Sequence, residues 1–209
     1  MAQNMPPISE IERLHRKYAP DERAYELVLT HCKIVAEIAE WCAGQASESV
    51  DRELLRTAAL LHDVGSYAFY NVNTPRLFGH KLYSQHGLLG AKLLSDEGLP
   101  DIATIVETHS LLGLTKQEII DYPYPLPARD YVPTSIEGEL LCYADRFHSK
   151  KPTFNDFNSF LAGLKQTLPH QAEKFEAMSK RFGVPDLAVL AKKYNQPIRT
   201  ENTYARPSN

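Results

Sequence analysis

Cysteine is scarce: the 209-residue chain has only Cys32, Cys42 and Cys142. An odd number with no CxxC pair excludes a disulfide-built scaffold and favours a reducing compartment. No apolar run approaches the roughly 20 residues needed to cross a bilayer. The first ten residues also lack the basic stretch followed by an apolar one that marks a secretory signal. A soluble, cytoplasmic protein is the expectation. Positive charge is not in excess either. The formal net charge of -3 argues against a dedicated nucleic-acid binder, while leaving room for a local basic pocket that takes a small phosphorylated ligand. There is no internal repeat, and no alternating run long enough to specify a strand.

What is present is ordinary globular material, 43% hydrophobic and 23% charged, enough for one domain with a sizeable core. The hydrophobic spacing predicts helices separated by Pro-rich loops. Ser9 caps a short first helix that stops before Pro20. Leu27, Ile34, Val35, Ile38 and Trp41 recur at helical spacing over residues 21–43, and Gly44 ends that run. Asp51 opens the next helix, whose apolar stripe Leu54, Leu55, Ala58 and Leu61 runs into His62-Asp63-Val64-Gly65, with Gly65 as C-terminal cap. A linker over residues 66–84 precedes helices at 85–97 and 100–111, the second with Pro100 in its first turn. Four prolines make residues 113–133 a long, mostly non-helical excursion. Thr134 then caps a helix through Asp145 to residue 149, followed by helices at 154–167, 169–182 and 184–194. The predicted fold is all-α: a single domain over 1–195, with its core at 20–150, a C-terminal helical extension at 151–195, and a polar tail at 196–209.

The placement of the histidines carries the chemistry. His31 falls mid-helix and His62-Asp63 at a helix end, while His86 and His109 fall near the start and end of later helices. Asp145 follows the apolar stretch Leu140-Leu141-Cys142-Tyr143-Ala144. Charged side chains are seldom buried without a partner or a metal, so these residues form either a hydrogen-bonded core network or a ligand set. Adjacent helical residues point about 100° apart, so His62 and Asp63 reach a common ion only if it lies beyond the helix end. Imidazole plus carboxylate suits Mn, Fe, Co, Ni or Zn, and suits Ca poorly.

The series His31, Leu61-His62-Asp63-Val64-Gly65, His86, His109, Asp145 resembles the HD superfamily of metal-dependent phosphohydrolases. It is most similar to the HDIG-type single-domain proteins, with Val64 in place of the commoner Ile. The likeness runs through Tyr25-Glu26-Leu27-Val28-Leu29-Thr30-His31-Cys32, Ala58-Ala59-Leu60-Leu61-His62-Asp63, His86-Gly87-Leu88-Leu89-Gly90 and Ala144-Asp145-Arg146-Phe147-His148-Ser149-Lys150. It implies a helical bundle in which His31, His62, Asp63 and Asp145 hold one divalent transition metal. His86 and His109 would then hold a second, with Asp63 as bridge. His80 competes with His86, but lies in a Gly-containing loop. His15, His148 and His170 are expected at the surface or behind the ligands. Cys32 and Cys142 are expected to pack beside the ligands without chemistry.

The implied activity is hydrolysis of a phosphoester, a nucleotide or related small metabolite, by metal-activated water, with Asp63 central and Lys150 and Arg146 as fixed cations. Glu137, Glu139, Arg76 and Lys81 read as ordinary surface charges. Tyr122, Tyr124, Arg129 and Tyr131 are expected to frame the entrance, and the apolar helices after residue 154 offer a homodimer face. Two alternatives stay open: a di-iron oxygenase with almost the same ligands, and a non-catalytic nucleotide-binding module. The chain carries no GYP motif and no synthetase-type second domain.

Overall fold

The longest helix organises the molecule. Asp21 accepts a hydrogen bond from the Ala24 amide at 2.7 Å and so starts α2 (Glu22–Ala43), following α1 (Ile8–Tyr18). A computed structural model of the protein describes residues 5–73, 78, 82–122 and 124–200. Val28, Cys32, Ile34, Val35, Ile38 and Ala39 on α2 are fully buried, and α3 (Arg52–Leu61) and α7 (Ile136–Asp145) pack along them. Between these lie α4 (His86–Asp96), α5 (Pro100–Glu107) and the short α6 (Lys116–Asp121). The C-terminal helices α8 (Phe157–Thr167), α9 (Pro169–Phe182) and α10 (Ala188–Tyr194) follow. Phe175 and Phe182 of α9 pack on Tyr143 of α7 with ring centroids 5.2 and 5.9 Å apart, so the C-terminal helices share the main core. None of the described helices is long and apolar enough to cross a membrane.

The fold is all-α, apart from one small sheet that the sequence did not signal. β1 (His148–Ser149) pairs antiparallel with β2 (Thr153–Asn155), which pairs parallel with β3 (Ile198–Arg199). Two expectations change here: the helix through Asp145 stops at that residue, and the supposed polar tail contributes a strand just after residue 196. The strands are too short for two-residue periodicity to be visible.

Other boundaries differ for local reasons. α1 begins at Ile8, behind Pro7, with no side-chain cap from Ser9. The Pro-rich excursion contains α6 because Thr115 and Glu118 form a reciprocal capping box, a stronger start signal than the surrounding prolines are a block. Ser135, rather than Thr134, caps α7. Residues 66–84 are not a plain linker: 3-10 turns occupy Val64–Phe69 and Tyr83–Gln85. Arg76, His80 and Lys81 lie outside the described residues.

Gly65 does not cap a helix in a left-handed conformation; only Gly98, Gly113 and Gly183 have positive φ among the described glycines. Its role is close approach. A Cβ at Gly65 would overlap the carbonyl oxygen of His86 and the backbone of Gly90, so the turn after His62-Asp63 rests directly on the first turns of α4.

Candidate metal centre

Five separate segments deliver six side chains to one point. His31 comes from the middle of α2, and His62 is the C-cap of α3. Asp63 follows as the chain leaves helical geometry, with φ -103° and ψ 11°. His86 opens α4, His109 lies just past α5, and Asp145 ends α7. His31, His62, Asp63 and His109 are buried almost completely.

Five of the six form two trios that share Asp63. Its Oδ2 lies 3.1 Å from His31 Nε2 and 3.5 Å from His62 Nε2. Asp145 Oδ1 closes that side, 3.0 Å from His31 Nε2 and 3.5 Å from His62 Nε2. The other oxygen, Asp63 Oδ1, lies 3.3 Å from His86 Nε2 and 3.7 Å from His109 Nε2, and those two nitrogens are 2.9 Å apart. Donors about 2.1 Å from a common ion, spaced by right or tetrahedral angles, lie about 3.0–3.4 Å from each other. The pair distances within the two trios run from 2.9 to 3.7 Å and bracket that spacing. Asp63 Oδ1 is buried and accepts no hydrogen bond among the described residues, a costly state for a carboxylate oxygen that a cation relieves.

The imidazoles are oriented for the same task. His62 Nδ1 donates to Ala59 O at 2.8 Å, His86 Nδ1 to Tyr83 O at 2.7 Å and His109 Nδ1 to Val106 O at 2.6 Å, each to the carbonyl three residues earlier. With the proton committed to Nδ1, Nε2 presents a lone pair to the centre. Burial holds His86 and His109 below the usual histidine range and pushes His31 down to about 3. His62 is displaced upward instead: burial opposes its charge, but Cys32 and Asp63 beside it outweigh that. Burial would raise Asp63, but Lys150 and His62 hold its carboxyl well below the ordinary range. Anionic Asp63 among mostly neutral imidazoles is the protonation state that a divalent cation requires.

Lys150 reaches back from the β1–β2 turn to pair with Asp63 Oδ2, and Arg146 pairs with its neighbour Asp145. Both line a cavity of about 370 Å³ that opens from the centre. Leu111, Leu114, Tyr124 and Phe160 supply its apolar wall, with Tyr83 beside the histidines. Of the expected rim, Tyr124 is in place. Tyr131 is buried and carries Arg129 over its ring at 4.2 Å, while Arg129 pairs with Glu107. Tyr122 faces a separate small cleft beside Glu118 and Gln171.

Two supporting residues, Glu137 and His15, differ from expectation. Glu137 is buried and accepts the Asp51 amide at 2.9 Å, tying α7 to the start of α3. His15 is fully buried between Tyr67 Oη and Leu60 O, each at 2.7 Å, and His170 is exposed. His148 is buried against His31. Tyr83 was not singled out in the sequence. It stacks on His86 with centroids 4.6 Å apart, and only its position three before a histidine hints at that contact.

A family model for the HD domain matches residues 28–150. The chain belongs to the HD domain family. It is similar to Methanocaldococcus jannaschii protein MJ0778, with 32% identity over 137 residues, covering 63% of this chain and 73% of that protein. It is also similar to the tRNA (cytidine(56)-2'-O)-methyltransferase of Picrophilus torridus, with 31% identity over 150 residues. That alignment covers 66% of this chain but 39% of the methyltransferase, a minor part of that protein.

Among solved structures, the HD domain of the phosphodiesterase PgpH from L. monocytogenes superposes with a TM-score of 0.54 at 17% identity. The match covers 88% of this chain and 98% of that one. The same PgpH domain in complex with cyclic-di-AMP also gives 0.54, at 18% identity, covering 93% and 100%. At these identities the likeness is one of fold.

Proposed function

We propose that this HD protein is a divalent-metal-dependent phosphohydrolase acting on a small phosphorylated metabolite of nucleotide type. The observation that carries the reading is the division of Asp63 between two trios, one per carboxylate oxygen. His31, His62, Asp63 and Asp145 would hold one cation, and Asp63, His86 and His109 a second. Bound divalent ions lower the pKa of water toward neutrality and polarise a phosphoryl oxygen.

The chain's own residues do the rest. Lys150 and Arg146 bring two cationic side chains to the cavity beside the centre, where charge develops on a phosphoryl group. Leu111, Leu114, Tyr124 and Phe160 offer an apolar surface for the organic part of the substrate, and Tyr124 and Phe160 suit a base or other flat ring. The cavity volume is in the range of small-molecule sites. The fold shared with a cyclic-di-AMP-binding phosphodiesterase domain supports the same substrate class.

The deciding experiment is an anaerobic activity matrix of Mn, Co, Ni, Zn and Fe against nucleotides and an aryl phosphate. Phosphate release without oxygen is the expected result. Turnover that requires iron and consumes oxygen would replace this reading with the oxygenase one. Metal-free protein that binds nucleotides unaltered would replace it with a non-catalytic one.

A further inference from the structure

Three of the four ligand histidines donate Nδ1–H to the backbone carbonyl three residues earlier, at or just beyond the end of an element. His31 has a different partner for Nδ1. It lies in the middle of a 22-residue helix, where the carbonyls one turn back serve the helical ladder. Its Nδ1 instead meets Nδ1 of His148 at 2.8 Å, with the rings stacked 5.1 Å apart and 24° from parallel. His148 can carry its own proton on either nitrogen, so this contact alone leaves the tautomer of His31 undetermined.

The next link determines it. His148 Nε2 lies 2.6 Å from Oε1 of Gln196. With Gln196 presenting its amide oxygen, which only accepts, His148 carries its proton on Nε2. Its Nδ1 then accepts from His31 Nδ1–H, and His31 Nε2 turns a lone pair toward Asp63, His62 and Asp145.

The placement of Gln196 is built into the end of the fold. α10 closes on Asn195 in the left-handed conformation, with φ 51°, and the Gln196 amide donates to Ala191 O at 3.0 Å. Pro197 O then accepts from Phe154 N at 2.9 Å, and β3 joins the sheet whose first residue is His148.

We infer that Gln196, acting through His148, is a positioning residue that fixes the ligand tautomer of His31, so that a segment outside the HD family match governs one of the two cation positions. The inference rests on the two-cation reading above. It assigns the three-stranded sheet a purpose: the sheet brings residue 196 to residue 148.

The test compares Gln196→Met, which keeps the side-chain length but removes the acceptor, with Gln196→Glu, which keeps an acceptor oxygen. Each full-length variant is titrated with Co by calorimetry and visible absorption, and ring nitrogens are assigned by 15N NMR. Wild type should bind two equivalents, with His31 protonated on Nδ1. Gln196→Met should weaken one equivalent by about 10–100-fold and leave the other within about threefold, and Gln196→Glu should restore the weakened one.

Wild type that binds no cation overturns the two-cation reading, and the relay with it. Wild-type binding of two equivalents, with Gln196→Met indistinguishable from it in affinity and in His31 tautomer, overturns the relay alone. Equal weakening of both equivalents in both variants also overturns it, since that pattern marks a general structural role.

Discussion

Lys150 Nζ lies against Asp63 Oδ2, the carboxylate oxygen that faces His31 and His62. Burial disfavours the ammonium charge, yet the adjacent carboxylate more than offsets this and raises Lys150 above the usual lysine range. A divalent ion in the first trio and the ammonium of Lys150 therefore compete for one oxygen. Replacing lysine with Lys150→Met should tighten cation binding or leave it unchanged, while kcat falls by about 100-fold through loss of a fixed positive charge at the phosphoryl group. Calorimetric titration beside steady-state kinetics checks both halves. Parallel loss of cation and activity would make Lys150 a structural partner of Asp63 only.

Asp63 has the most to lose. In Asp63→Ala the carboxylate shared by both trios is gone, and partly buried Lys150 is left without its carboxylate partner. Elemental analysis should find neither cation retained, and turnover should fall to background. A variant that keeps metal and activity would exclude the shared role.

Gly65 offers a test that touches no ligand. Because a Cβ there meets backbone of α4 rather than a yielding side chain, Gly65→Ala should cost about 3 kcal/mol of stability. The displaced element begins with His86, so the trio containing His86 and His109 should lose affinity before the one containing His31. Denaturant midpoints and metal titration on the same samples read both effects.

His15 predicts a pH dependence independent of the metal. Burial pushes it down to about 4, from an ordinary 6.5. Below about pH 6.5 the unfolded chain takes up a proton that the folded chain refuses, so stability falls as pH drops toward 4. In chelated protein, urea midpoints at pH 7 and 4.5 should show a wild-type loss exceeding that of His15→Gln by about 2–3 kcal/mol. Equal losses would mean that His15 is not held neutral by the fold.

The long helices and the approximate places of all six centre residues were legible because they rest on strong local signals. Asp21 and Asp51 cap as Asp does, and the stripe on α2 repeats over six turns. The order His31, His62-Asp63, His86, His109, Asp145 carried the rest through the family likeness. What escaped was non-local. Nothing near Gln196 announces that it will meet a histidine 48 residues away. The strands around it are two or three residues long and have no readable period. Glu137 looked like a surface charge because its partner, the Asp51 amide, is 86 positions distant. Tyr131 and Tyr124 look alike in sequence, and only the fold decides that one is core and the other lines the cavity.

The bare contact between Gly65 and the first turns of α4 has a wider consequence. Main chain seated on main chain acts as a gauge block: it sets the gap between the strip bearing Asp63 and the helix bearing His86 without any rotatable bond in between. Substitutions in the surrounding apolar layers can therefore reshuffle side chains while the interval between the two halves of the centre keeps its calibration.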